Sequence, residues 1–126
     1  MMVQLTLLPT VDEKKVRNTV IKELKEYKAL RIAMENKREI EEQGIEKLFP
    51  SLNDKEKEKI IKFNQINRTI KHALDDTERE IIEKKYLGPS RVKDISVYMD
   101  MGITKDQYYI CKKQAIFQIA TALTII

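Results

Sequence analysis

The sequence predicts an all-α fold: a helical bundle whose C-terminal part carries a helix-turn-helix, preceded by an N-terminal helical extension. Three observations carry that expectation. Turn formers are scarce, with three Gly and three Pro in 126 residues, which leaves helices joined by short connections. Apolar residues recur at three- and four-residue spacing. Helix-start signatures of the type Ser/Thr/Asn-x-x-Glu/Gln recur along the chain. The division expected is a helical extension over 1–52 and a helix-turn-helix domain over 53–126.

An irregular arm to Pro9 opens the chain. Thr10 with Glu13 reads as a capping box, and Asp12 suits the positive end of the helix dipole. Val16, Val20, Leu24, Tyr27, Leu30 and Met34 then follow on one helical face. The charged stretch Met34 to Gln43 reads as an exposed continuation, and Gly44 as a stop. Leu48, Phe49, Pro50 and Leu52 give the next segment apolar anchors. Asn53 with Glu56 offers a second capping box, before a helix presenting Ile60, Phe63, Ile66 or Asn67, Ile70, Ala73 and Leu74.

The last fifty residues are the most informative. Thr77 with Glu80 predicts the start of a short helix bearing Ile81, Ile82, Tyr86 and Leu87, ended by Gly88-Pro89. Ser90 is expected to cap a helix carrying Val92, Ile95, Val97, Met99 and Met101. Gly102 is placed for a tight turn through positive φ. Ile103 can plug the gap between the two helices. Thr104 with Gln107 starts a long final helix, whose inward residues are Tyr108, Cys111, Ala115, Ile119, Ala122 and Leu123.

That assignment leaves Lys105, Asp106, Tyr109, Lys112 and Lys113 on the outer face, with Gln107 at its edge. Recognition helices meet base edges through their first turns. Lys105 suits a guanine, Asp106 a cytosine amino group and Gln107 an adenine. Tyr109 suits stacking or a phosphate. Lys112 and Lys113 are placed for the backbone, which positions a protein without reading sequence. Charge agrees in sign. The net charge is +4, and from Lys84 onward seven Lys or Arg face three Asp, whereas Asp75 to Glu83 holds five acids and one Arg.

Residues 74–82 (Leu-Asp-Asp-Thr-Glu-Arg-Glu-Ile-Ile), Tyr86-Leu87, Met101-Gly102-Ile103-Thr104, and Ala115 with Ile119 resemble the DNA-binding fourth region of bacterial sigma factors. One departure is Tyr98, where many sigma-like domains carry a smaller residue. Further residues are Leu7-Leu8-Pro9, Val11-Asp12-Glu13-Lys14-Lys15, Leu24 with Tyr27-Lys28, Tyr108-Tyr109, Lys113, Ala115, Ala120 and Ala122-Leu123. On these the chain is similar to the ArpU family of phage and prophage transcriptional regulators. The likeness covers both ends and thins out between 35 and 55. It implies a promoter-binding activator of phage late genes, with double-stranded DNA as ligand and RNA polymerase as a second partner.

Other classes fit less well. One Cys and one His exclude a zinc site of the usual ligand count. No nucleophile–base pattern and no Gly-rich phosphate loop is present, so neither an enzyme nor a cofactor is expected. No apolar stretch reaches the ~20 residues of a membrane span. With no signal-peptide pattern and a single Cys, the expected location is the cytoplasm of a bacterial host. Two alternatives stay open: a DNA-packaging protein of the small-terminase kind, and a sigma-like adaptor binding polymerase and not DNA. The stripe on the first helix fits either packing within the chain or pairing in a homodimer. A dimer would space two recognition helices by ~34 Å.

Overall fold

The first helix, α1 (Glu13–Gln43), begins where Asp12 accepts a hydrogen bond from the Lys15 amide. The computed structural model describes residues 12–52 and 55–126. Thr10, expected in a capping box with Glu13, lies outside them, as do Leu7-Leu8-Pro9 and Val11; within them the N-cap is Asp12. At the far end Gly44 takes φ +65°, and its own amide and that of Ile45 close back on Glu41 and Ile40. This paired closure satisfies the last carbonyls of the helix. The charged stretch before Gly44 is helical, as its composition predicts.

Four more helices follow: α2 (Glu56–His72), α3 (Asp76–Tyr86), α4 (Asp94–Met101) and α5 (Lys105–Ala122). Among the described residues there is no strand. Two of the expected starts differ, at α3 and α4, while a third, Asn53, lies outside the described residues; α2 starts after Lys55, which makes no side-chain cap. In α3 the capping box is Asp75 with Glu78, because the extended backbone at Asp75 (ψ 175°) already ends there and Thr77 is inside the helix. Ser90 does not cap α4. Lys93 precedes its first residue, with the Val92 carbonyl held by the Lys85 ammonium at 2.8 Å.

One core cluster joins α1, α2, α3 and α5. Val16, Val20, Leu24 and Tyr27 of α1 meet Ile66 and Ile70 of α2, Ile82 of α3 and Ala115, Ile116 and Ile119 of α5, among others. The α1 stripe is thus buried inside the chain. Burying each such aliphatic side chain contributes about 1.5–3 kcal/mol. Polar contacts fix the register. Tyr27 stacks on Phe63 with ring centres 5.5 Å apart and donates to the Asn67 side-chain oxygen at 2.9 Å. Arg31 reaches the Leu87 carbonyl and Glu83.

Arg79 ties α3 to α2. Its guanidinium donates to the carbonyls of Ile70, Lys71 and Leu74 and to the Asp76 carboxylate, at 2.6–2.9 Å. Those carbonyls lie at the negative end of α2, which favours a cation there.

A smaller cluster sits beneath α4. Ile81, Val97 and Tyr108 form it, with Val92, Tyr98, Met101, Ile103 and Cys111 packed around them. Ile103 fills the corner, as expected. Four apolar assignments differ. Ile95 and Met99 are 54% and 71% exposed, because α4 is one short helix that turns only Val97 fully inward. Ala73 and Ala122 are exposed at helix ends. Conversely Ile116, Phe117 and Ala120 are buried. The C-terminal half of α5 is enclosed by α1, α2 and α3, so its buried arc is wider than one stripe.

Candidate nucleic-acid interface

The turn into α5 is built from both sides. Gly102 takes φ +68°, and the amides of Gly102 and Ile103 close on Met99 and Tyr98. Thr104 then opens α5. Its hydroxyl accepts from the Gln107 amide at 3.1 Å, and the Gln107 side chain accepts from the Thr104 amide at 3.1 Å. The box expected at Thr104 and Gln107 is present. It also occupies the Gln107 side-chain oxygen, leaving the amide nitrogen outside the box.

Residues at spacings of one, four, five and eight share one side of a helix. On α5 this gives Lys105, Asp106, Tyr109, Ile110 and Lys113, all exposed. Tyr108, directly beside Tyr109, is fully buried. The expected opposition of the two tyrosines is therefore observed. Lys105 has no ion pair among the described residues. Lys113 pairs with Glu13 at 3.1 Å, both side chains being about half exposed.

Lys112 behaves differently from the expectation. Its side chain is only 14% exposed, and its ammonium donates to Asp94 at 2.9 Å while lying 5.6 and 5.4 Å from the ring centres of Tyr108 and Tyr109. A lysine placed for the phosphate backbone instead braces α5 against the start of α4.

Asp94 is the centre of that brace. Beside Lys112, its carboxylate accepts from Tyr108 at 2.5 Å and Tyr109 at 3.4 Å, and Lys85 of α3 lies 3.5 Å away. Burial alone would raise this carboxyl; the bonds from Tyr108 and Lys112 and the charges of Lys112 and Lys85 prevail and hold it below the usual aspartate value. Burial and then the Asp94 charge push the Tyr86 hydroxyl up to about 12. The same causes raise Tyr108, with its bond to Asp94 adding to them. Tyr98 leans on Tyr108 with ring centres 5.5 Å apart, so the larger residue at that position is accommodated as part of the packing.

Sequence reasoning missed Asp94 and Ile110. A usable signal for Asp94 was an acid in a first helical turn facing a Tyr-Tyr-x-x-Lys spacing in the next helix. Two further cations also went unassigned: Arg91 and Lys93 are exposed and immediately precede Asp94. His72 is exposed at the end of α2, and Cys111 is half-buried in the smaller cluster. Burial, then the charges of Asp75 and Glu78, raise the Cys111 thiol.

Among the described residues, no three His, Cys, Asp or Glu side chains gather as a metal site. No helix among them is long and apolar enough to cross a membrane. Compared with protein-family models, with curated proteins and with solved structures, the chain has no match.

Proposed function

We propose that the protein is a sequence-specific DNA-binding regulator of transcription, reading the major groove with the N-terminal half of α5. The observation that carries this is the face Lys105, Asp106, Tyr109 and Lys113, exposed in the first turns of a helix that follows a glycine turn. Its geometry is fixed from behind by Asp94 and the Thr104 box, so a rigid element presents donors and an acceptor outward. Lys105, Asp106 and the Gln107 amide face base edges. Lys113, with Arg91 and Lys93 beside the start of α4, faces phosphates. Tyr109 packs against the backbone.

A second partner is part of the reading. Ile95 and Met99, four residues apart on α4, make an exposed apolar pair and suit a protein contact. In a promoter-bound activator that partner is RNA polymerase. The resemblance to ArpU-type regulators supports phage late genes as the targets of such an activator.

The test is a salt-dependent titration onto DNA selected by the protein from a random pool, against unselected DNA. Binding tighter by ~10³ or more on the selected sites, weakening with salt, supports a sequence-specific regulator. Weak and equal binding to all DNA moves the reading to a polymerase-bound adaptor or a packaging protein.

A further inference from the structure

Ile110 stands in the middle of the exposed face of α5, between Asp106 and Gln114 along the helix and beside Tyr109 and Lys113 around it. It is 58% exposed, with no polar role of its own. Ile32, Ile61 and Ile95 are exposed on other helices to a similar degree, so exposure alone is ordinary; what sets Ile110 apart is its place at the centre of the polar face of α5. The pair Ile95 and Met99 forms an apolar surface of its own, whereas Ile110 is a single aliphatic group set among a carboxylate, an amide, a phenol and an ammonium. Hydrogen-bonding groups around one apolar contact complement the major-groove edge of a base pair carrying thymine. There the 5-methyl group sits beside the O4 acceptor and the adenine N6 donor.

Resting on the proposed DNA-reading role of α5, we infer that Ile110 is a specificity-determining residue that packs on a thymine 5-methyl group. Burial of Ile110 against that methyl favours thymine over cytosine at one position of the site, and does so without a hydrogen bond. The neighbours supply what an aliphatic group cannot. Lys113 holds the phosphate backbone, and Asp106 and Lys105 read the adjoining pairs.

The experiment uses the full chain and a site selected from random DNA. Each thymine is replaced in turn by deoxyuridine, which removes the methyl and leaves every hydrogen-bonding group in place. The expected result is a loss of about fourfold in affinity at one position, the worth of one buried methyl group. Ile110→Ala should bind the thymine and uracil forms of that position equally, while Ile110→Val retains most of the preference. Ile61→Ala, at an exposed isoleucine of α2 away from this face, should keep the full thymine preference at that position. The inference is overturned if no thymine responds to loss of its methyl, or if Ile110→Ala responds as the native protein does. Failure to select any sequence at all instead removes the DNA-reading role itself, a separate outcome seen before any uracil is introduced.

Discussion

Asp94, the first residue of α4, and Lys112, eight residues into α5, are joined by a 2.9 Å ion pair that is mostly shielded from solvent. It holds the last helix at a fixed angle to the helix before the turn. Asp94→Ala should lower stability by about 1–3 kcal/mol, the range for hydrogen bonds to a charged group, with its partial exposure favouring the lower end. Lys112→Ala should do the same, and the double variant should cost less than the sum. Urea denaturation measures all three. A Lys112→Ala protein of unchanged stability would return this lysine to the face proposed to meet DNA.

Lys105 and Lys113 should separate by function. Lys105→Ala is expected to reduce the ratio of specific to random binding. Lys113→Ala should weaken both alike and reduce the salt slope by about one. Because Lys113 also pairs with Glu13, Glu13→Gln should strengthen binding to all DNA by releasing the ammonium. Titrations at several salt concentrations read these effects, and equal losses on both DNAs for Lys105→Ala would reject its base-reading role.

Arg79 gathers two carbonyls of α2, the Leu74 carbonyl just beyond it and one carboxylate of α3 around one guanidinium. Arg79→Ala should therefore cost about 1–3 kcal/mol, since partly buried carbonyls at the end of α2 lose their charged donor. Arg79→Lys should recover little of it, because an ammonium cannot fork to several acceptors. Thermal unfolding of the two variants makes the comparison.

Two left-handed residues end helices with opposite consequences. A side chain at Gly102 meets nothing within 4 Å, so Gly102→Ala should cost only the backbone term of about 1–2 kcal/mol. Thr124 adopts φ +58° after α5, with its own amide and that of Ile125 closing back on Thr121 and Ala120. Thr124→Gly should stabilise the protein by about 1 kcal/mol through removal of that strain. Denaturation midpoints moving in opposite directions would bear out both.

The Tyr86 hydroxyl has a raised native pKa of about 12, against an ordinary value near 10. A group raised in the native state contributes stability that is fully present below its unfolded pKa and is lost as pH rises through the native one. Stability should therefore fall between about pH 10 and pH 12, and Tyr86→Phe should flatten that decline. Asp94 is lowered instead, so its contribution is present at neutral pH and lost in acid, below the usual aspartate range. Unfolding followed across both limits checks the two signs.

The all-helical class, the α1 stripe and the turn into α5 are legible in the sequence because each rests on local rules. Apolar spacing of three and four marks a face, a glycine permits positive φ, and Thr104-x-x-Gln107 closes on itself within four residues. The same locality explains why Tyr108 and Tyr109 can be told apart, since neighbours on a helix point in different directions. The tertiary structure alone decided the rest. Which acid meets Lys112, how wide the buried arc of α5 becomes, and where α4 begins all depend on helices distant in sequence being brought together. Asp94, Tyr108 and Lys112 are ordinary residues until that packing excludes water around them. Low local dielectric then turns a surface lysine into a brace and leaves Ile110 standing out on the face beside it.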